Sequence, residues 1–269
     1  MRKKRSLERL LASYIILMIC AVVAAPQSAK PDTQDCTEVR AQAARLESRI
    51  KDWPALARYR QANAQVPAQA KNEERVVFMG DSITDWWDNE GNGGFFPGKP
   101  YINRGIGGQN TGQMLIRFRP DVIALKPKVV VILGGTNDIA DKPEMTALEP
   151  IKANLISMIE LSRANNIRVV LASLLPVSDY GRVRDRDDPP IAQTVRRRPE
   201  QIKALNEWIR TYAAENGLTY LDYYSAMVDE KGFLQATFSN DGLHPVGKGY
   251  AVMVPLAEQA IAKALKRKR

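Results

Sequence analysis

Histidine and cysteine are the scarcest reactive residues in this chain of 269 amino acids, which contains one histidine and two cysteines. A zinc site normally needs several such ligands close together, and the sequence also lacks a dense carboxylate motif. We therefore expect no metal and no other cofactor. Two cysteines cannot build a disulfide framework, but 45% apolar residues are enough to bury the core of one domain.

Hydrophobic runs of membrane-spanning length are also missing. The longest run, Leu10 to Ala25, follows five basic side chains, which is typical of a signal peptide. Its length of about sixteen residues falls short of the roughly 20 that span a bilayer, and Ala24 and Ala25 offer a cleavage site. The sequence predicts an exported protein, periplasmic or secreted, with an uncleaved membrane anchor as the alternative. A lipoprotein is less favoured, because Ile19 precedes Cys20 where a small residue is needed.

Acidic side chains are outnumbered, which gives a formal net charge of +9. The first 24 residues account for +4 of this charge. Much of the remainder lies in a basic tail that contains Lys263, Lys266, Arg267, Lys268 and Arg269. Such a tail can associate weakly with an anionic envelope surface, although it can equally be the solvated end of a final helix. We expect no nucleic-acid partner.

Three segments are predicted along the chain. Residues 1–25 form the signal peptide or anchor, residues 26–73 form a helical extension and linker, and residues 74–269 form the main domain. Within the extension, residues 38–50 have the composition of a helix and residues 61–71 that of a linker or loose helix end.

Short apolar runs alternate with helical stretches in the main domain. The runs at 76–79, 129–133 and 169–174 are continuous and rich in β-branched residues, as expected for strands buried on both faces. Weaker strands are expected at 101–103 and 219–221. Helices are predicted over 114–125, 150–165, 199–216 and 246–265. This alternation predicts an α/β fold, a three-layer sandwich with a five-stranded parallel sheet covered by helices on both faces.

His244 must supply any imidazole that the chemistry needs near neutral pH, because it is the sole histidine. Asp241 lies three residues earlier, in a glycine-bearing turn before the last predicted helix. The carboxylate can therefore bond to the ring and select its tautomer. In the alternative interpretation His244 is structural and Asp241 only satisfies local amides.

Ser82 follows the first buried strand and precedes a predicted helix. A serine at such a turn lies beside the positive end of the helix dipole, which favours a developing oxyanion. Alternatively, Ser82 or Asp81 only caps the helix. Gly108, in a glycine-rich stretch, and Asn137, after another strand, are candidate oxyanion donors, although glycine pairs after strands are often plain turns.

The positions of these residues strengthen the hypothesis. Ser82, Gly108, Asn137 and the turn with Asp241 and His244 each follow a different predicted strand, so they share the carboxyl edge of a parallel sheet. That edge is where open α/β sheets bind ligands. Together they would form a nucleophile, a base, a residue that orients the base, and an oxyanion hole.

These segments, in this order, resemble the SGNH hydrolases, also called the GDSL family, over about residues 74–265. The resemblance implies a flavodoxin-like sheet and ester hydrolysis without a metal. It places the family's serine on Ser82, its oxyanion glycine on Gly108, its asparagine on Asn137, and its Asp-x-x-His pair on Asp241 and His244.

Ile83 replaces the leucine of the usual Gly-Asp-Ser-Leu, which is a conservative change. Residues 103–109 and 137–138 resemble the platelet-activating-factor acetylhydrolase-like and carbohydrate acetylesterase branches. This finer resemblance implies hydrolysis of short, acetyl-type esters of saccharides or small lipids. The alternatives are a lysophospholipase- or thioesterase-type lipid acyl hydrolase and a non-catalytic, carbohydrate-binding module of the envelope.

Substrate contacts are the least determined part of the site. Asp81, Trp86 and Trp87 are candidates, although two adjacent tryptophans are more often packing residues. The stretch 176–198 is a long loop expected near the same sheet edge, and long loops in compact domains are usually functional or disordered. Its arginines, Arg182, Arg184, Arg186 and Arg196–Arg198, suggest contact with an anionic partner.

Overall fold

A computed structural model of the chain describes residues 33–70, 72–141, 148–181 and 192–267. It divides into two compact units, Met1–Lys51 and Asp52–Arg269. The described part of the first unit is a helix, α1 (Thr33–Lys51). Across the described ranges, no helix is both long and apolar enough to cross a membrane. The predicted signal peptide lies outside these ranges.

The second unit alternates strands and helices. Its strands are β1 (Val76–Gly80), β2 (Tyr101–Gly105), β3 (Val129–Leu133), β4 (Arg168–Ala172) and β5 (Thr219–Leu221). Its helices are α2 (Arg60–Gln65), α3 (Ser82–Asp85), α4 (Thr111–Asp121), α5 (Thr136–Asp141), α6 (Glu149–Ala164), α7 (Gln193–Arg196), α8 (Pro199–Glu215), α9 (Tyr224–Met227) and α10 (Gly247–Lys266). Short 3-10 turns follow α3 at Trp86–Asp88 and α4 at Ile123–Leu125.

The five strands form one parallel sheet in the order β2-β1-β3-β4-β5. This is the flavodoxin-like order, in which the strand sequence reverses beside β1 and opens a crevice at the carboxyl edge. The predicted five-stranded parallel sheet is therefore confirmed. The reversal places the residues that follow β1 and β3 at that crevice.

Both faces of the sheet are covered, because every residue of β1 and β3 is buried. On one face, Val77 and Met79 belong to a core with residues of α4, α6 and α8. On the other, Val76 and Phe78 belong to a core with residues of α10. The continuous apolar strands are thus explained by burial on both sides, and the predicted three-layer α/β architecture is confirmed.

Two element boundaries differ from the prediction for identifiable reasons. Helix α4 begins at Thr111 instead of 114, because Asn110 and Gln113 form a reciprocal capping box at its start. Strand β4 ends at Ala172 instead of 174. The backbone N–H and carbonyl of Leu174 bond to the side-chain amide of Asn206, at 2.7 and 2.9 Å, so they cannot continue the ladder.

The segment before β1 belongs to the same compact unit as the sheet, although the sequence suggested a separate extension up to residue 73. Gln109 and Gln113 donate to the carbonyls of Pro54 and Trp53, at 2.8 and 2.7 Å. The Tyr59 hydroxyl donates to the Gly105 carbonyl. Residues 52–73 therefore bond to the chain that follows β2.

The basic tail is the end of α10 in the described part of the chain. Lys263 and Lys266 lie in its last turns, where cations interact favourably with the helix dipole. Arg267 donates to the Leu218 carbonyl at 2.8 Å.

Candidate active site

Ser82 is the first residue of α3 and follows β1 by two residues. Asp81 caps this short helix, since its carboxylate accepts the backbone N–H of Ile83 at 2.9 Å. Ser82 is itself buried, with 5% of its surface exposed. The end of a buried strand and a capped turn thus fix the position of the serine.

The structure brings Ser82, His244 and Asp241 into one hydrogen-bonded chain. Ser82 Oγ lies 2.9 Å from His244 Nε2, and His244 Nδ1 lies 2.6 Å from Asp241 Oδ2. Because a carboxylate only accepts hydrogen bonds, Nδ1 carries the proton and Nε2 presents a lone pair to the serine hydroxyl. This arrangement suits transfer of the serine proton to the imidazole.

The Asp241 carboxylate is held from its other side. Its Oδ1 accepts the backbone N–H groups of His244 and Leu243, at 2.8 and 3.0 Å, and the hydroxyl of Ser239 at 3.1 Å. Burial alone would raise the pKa of Asp241, but the hydrogen bond and charge of His244, with these N–H donors, hold the pKa well below its usual range. Asp241 therefore stays ionised beside the ring.

The turn that carries this pair depends on Gly242. Its φ of +77° is a left-handed conformation, and a Cβ there would lie 1.8 Å from the Ser178 carbonyl oxygen. The Gly242 carbonyl accepts the Ser178 N–H at 2.9 Å. The turn is thus pressed against the chain that follows β4, which sets the distance of His244 from the sheet edge.

Gly108 and Asn137 also reach the carboxyl edge. Gly108 has a φ of +77° with open space where a Cβ would lie, so its backbone N–H can be approached closely. Asn137 lies in α5, directly after β3, and its Nδ2 donates to the Gln109 carbonyl at 3.0 Å. Gln109 follows Gly108, so this bond joins the two candidate oxyanion donors.

Arg197 and Arg117 make polar contacts that the sequence did not predict, although Arg197 was among the arginines expected to contact an anionic partner. Arg197 Nη2 donates to Asn137 Oδ1 at 3.2 Å, across 60 residues of sequence. Arg117 is fully buried on α4 and donates to the carbonyls of Gly80 and Arg104, at 2.9 and 2.8 Å. One side chain therefore hydrogen-bonds to the carboxyl ends of both β1 and β2.

A sequence signal exists for Arg117 but is weak. Arg117 and Asp121 are four residues apart and form a buried ion pair of 3.1 Å. The same spacing is common on exposed helix faces. For the contact of Arg197 with Asn137 no local signal exists, because the two residues are remote in sequence.

Trp86 lies against the imidazole, whereas Trp87 and Asp81 do not reach the cleft. The ring centroids of Trp86 and His244 are 3.9 Å apart, and Trp86 is 39% exposed. Trp87 is 1% exposed and packs against Phe78, Phe96 and Tyr250. The hypothesis of substrate contact is therefore corrected for Trp87, which is a packing residue.

Asp81 also needs correction as a candidate substrate contact, because its carboxylate is buried and serves as the cap of α3. Burial raises the pKa of Asp81 to about 6, although the Ile83 N–H and the charges of His244 and Arg197 act in the opposite direction. Asp81 is thus a structural carboxyl next to the serine.

A cleft of about 1170 Å³ opens beside His244. Its lining includes Trp86, Asn89, Tyr180, Gln193, Arg196 and Arg197. Residues from both described ends of the predicted loop therefore border the site, namely Tyr180, Gly181, Gln193, Arg196 and Arg197. Arg198 is exposed and does not line the cleft, and Arg182, Arg184 and Arg186 lie outside the described residues. Within the described ranges, no cluster of three histidine, cysteine, aspartate or glutamate side chains could hold a metal.

Comparison with known proteins identifies the family. Residues 78–252 match the model of the GDSL-like lipase/acylhydrolase family. A solved structure of a GDSL-like lipase from Bacteroides thetaiotaomicron is 40% identical, with a TM-score of 0.69, and the match covers 78% of this chain and 98% of that one.

Two other known proteins match this chain, one at lower sequence identity and one over a shorter stretch. An acetylxylan esterase of Geobacillus stearothermophilus is 25% identical over an alignment of 210 residues, and the match covers 67% of this chain and 90% of that enzyme. A Bacillus subtilis protein named uncharacterized lipoprotein YqeF is 39% identical over 80 residues. That match spans 28% of this chain and 32% of the lipoprotein, about a third of its length. On the family model and the lipase structure, the chain belongs to the GDSL-like lipase/acylhydrolase family, a class of carboxylic ester hydrolases.

Proposed function

We propose that the protein is a serine esterase in which Ser82 is the nucleophile, His244 the general base and Asp241 the residue that orients the base. The observation that carries this proposal is the continuous chain of 2.9 and 2.6 Å bonds from Ser82 through His244 to Asp241. A nucleophile bonded to a base, which is bonded in turn to an orienting group, is the arrangement that activates a serine.

The proposed reaction has two steps. His244 Nε2 removes the Ser82 proton as Oγ attacks the ester carbonyl carbon. The resulting imidazolium then protonates the leaving alcohol as the acyl–enzyme forms. In the second step water attacks the acyl carbon, His244 takes the water proton and returns it to Ser82 Oγ, and the acid leaves.

The charge that develops on the carbonyl oxygen needs hydrogen-bond donors. We assign this role to the backbone N–H groups of Ser82 and Gly108 and to the side-chain amide of Asn137. Support comes from their shared place at the carboxyl edge and from the bond that joins Asn137 to the residue after Gly108. Loss of one such donor costs roughly 10²- to 10³-fold in turnover.

Hydrolysis of a chromogenic acetyl ester tests this function. Ser82→Ala and His244→Ala should each lower kcat by about 10⁴-fold or more. Ser225→Ala is a matched control, because Ser225 is exposed at the start of α9, and it should keep the parent rate. Equal rates for the parent and Ser82→Ala would refute the serine mechanism, and a parent rate no higher than the uncatalysed background would favour a non-catalytic, carbohydrate-binding module.

The favoured substrates are short acyl esters, such as acetylated saccharides. The acetylxylan esterase relative supports this choice, as does a cleft that combines the aromatic faces of Trp86 and Tyr180 with polar side chains. Comparison of acetyl with octanoyl esters, and of acetylated xylan with lysophospholipid, tests the choice. A strong preference for octanoyl esters and lysophospholipid would favour the alternative, a lipid acyl hydrolase.

We also propose that the protein is exported. The basic and apolar N-terminal residues support export, and so does the partial match to a protein named a lipoprotein. Cell fractionation should find the protein in the envelope or the medium, and recovery with the cytoplasm would contradict export. Binding to anionic vesicles tests the weaker proposal that the basic tail associates with an envelope surface.

A further inference from the structure

Arg197 is a buried cation at the end of α7 that bonds directly to the Asn137 side chain. Its Nη2 donates to Asn137 Oδ1 at 3.2 Å, and its Nη1 donates to Gln193 Oε1 at 2.6 Å. Only 5% of Arg197 is exposed. A guanidinium group removed from water costs free energy unless its contacts compensate, so Arg197 is not merely part of a solvated basic surface.

The Asn137 carboxamide is held at both of its ends. Nδ2 has two hydrogens, and one of them is bonded to the Gln109 carbonyl at 3.0 Å. If the amide rotated by 180°, Nδ2 would face the Arg197 donor and Oδ1 would face the Gln109 carbonyl oxygen. Both hydrogen bonds would then be lost, so Arg197 and Gln109 together select one orientation of the amide.

The charge of Arg197 also changes the amide electronically. A cationic donor on Oδ1 draws electron density from the carboxamide and makes its N–H groups stronger donors, as in other hydrogen-bond chains. Among the described residues, Asn137 Nδ2 donates to the Gln109 carbonyl alone, which leaves its second N–H without a partner there. That N–H is the group available to an oxyanion.

We propose that Arg197 is a positioning residue that orients and polarises the Asn137 amide for the developing oxyanion. This inference rests on the proposed function, because it requires Asn137 to be an oxyanion donor. Under this proposal Arg197, near the end of the predicted loop 176–198, affects the reaction rate in addition to lining the cleft.

Arg197→Met is the first test, because methionine keeps much of the side-chain length and removes every donor. We expect kcat for an acetyl ester to fall about 10- to 10²-fold with KM changed by less than about threefold. The fall is smaller than that from loss of a donor itself. Arg198→Met is the matched control, since Arg198 is exposed outside the cleft, and it should keep the parent kcat. An unchanged kcat for Arg197→Met would overturn the proposal.

A double-mutant cycle with Asn137→Ala separates this role from a general structural one. If Arg197 acts through Asn137, Arg197→Met should change kcat by less than about twofold once Asn137 is alanine. If the double mutant instead loses kcat by the product of the two single-mutant factors, the substitutions act independently and the proposal is overturned. Arg197→Lys extends the cycle if the methionine variant does not fold. It retains a cation but not the guanidinium fork, and its loss of kcat should also disappear in the Asn137→Ala background.

The proposed function and the role of Arg197 can be refuted separately. If Ser82→Ala lowers kcat but Asn137→Ala does not, the assignment of Asn137 fails and the inference about Arg197 fails with it, while the serine mechanism remains. If Asn137→Ala lowers kcat but Arg197→Met does not, only the inference about Arg197 fails.

Discussion

Two aspartates near Ser82 show, at the scale of single residues, how the environment sets a carboxyl group's role. Asp241 accepts four hydrogen bonds, two of them from the backbone N–H and Nδ1 of His244, and its pKa lies well below the usual range. Asp81 is buried at the cap of α3, and burial raises its pKa to about 6. One carboxylate is therefore ionised and bonds to the His244 ring, and the other costs stability when it is charged.

Replacement of Asp241 tests the orienting role. Asp241→Asn should lower kcat at neutral pH by about 10³- to 10⁴-fold, because an amide can donate to Nδ1 and stabilise the wrong ring tautomer. A pH–rate profile of the parent enzyme supplies a second check. Since the pKa of Asp241 is lowered, its protonation should not limit the rate until well below pH 4. A loss smaller than about tenfold for Asp241→Asn would contradict the role.

Replacement of Asp81 tests the buried carboxyl. Between about pH 4 and pH 6 the folded protein keeps a proton on Asp81 that the unfolded chain releases, so stability should fall as the pH rises through this window. At pH 7 this effect amounts to about 3 kcal/mol at most. Asp81→Asn, which can still cap α3, should remove that fall. Urea unfolding of both proteins at several pH values measures the free energy of unfolding. If that free energy falls with pH to the same extent in both proteins, the raised pKa of Asp81 is contradicted.

The residues that could be predicted from sequence are those with a local signal. Asp241 and His244 are three residues apart, and Ser82 directly follows a buried strand. The bonds from Arg197 to Asn137 and from Arg117 to Gly80 cross 60 and 37 residues of sequence, and these residues become neighbours only through the fold. Trp87 was a candidate substrate contact with packing as the alternative, because sequence cannot show which of two adjacent tryptophans is enclosed by an aromatic cluster.

At the scale of elements, the tight turn at Gly242 positions the Asp241 and His244 pair. The strands and helices that support it were predictable, since β1 and β3 are continuous apolar runs. The contact of the turn with Ser178 was not, because it joins segments more than 60 residues apart.

Substitution of glycines tests this turn. Gly242→Ala introduces a Cβ that would lie 1.8 Å from the Ser178 carbonyl oxygen, whereas Gly98 has nearly the same φ, +76°, with open space around it. Gly98→Ala should therefore cost only the strain of a positive φ, roughly 1–2 kcal/mol. Gly242→Ala should cost clearly more and should also lower kcat. Equal losses of stability and unchanged turnover would show that the contact does not hold the turn.

At the scale of the whole molecule, the compact unit begins at Asp52. The sequence placed residues 26–73 in an extension, because residues 38–50 have the composition of a helix and residues 61–71 resemble a linker or loose helix end. The bonds of residues 52–73 to Gln109, Gln113 and Gly105 are long-range contacts that composition cannot reveal. The layered α/β architecture, in contrast, follows from an alternation of strands and helices that extends over the whole sheet.

Two truncated proteins test this boundary. A protein that begins at residue 52 should keep the melting temperature and kcat of the parent. A protein that begins at residue 74 should melt at a lower temperature and turn over more slowly, because Gln109, next to Gly108, loses its bond to Pro54. Calorimetry and ester hydrolysis measure both effects. Indistinguishable truncated proteins would contradict the assignment of residues 52–73 to this unit.

In the proposed mechanism Ser82 becomes covalently attached to the acyl group. The most direct measurement is peptide mass spectrometry after inactivation with a chromogenic phosphonate ester, which phosphonylates an activated serine with release of one equivalent of chromophore. We expect a single adduct on Ser82 that forms in step with loss of activity and does not form in His244→Ala. Full inactivation with the adduct on another residue, or rapid labelling of Ser82 without His244, would contradict this mechanism.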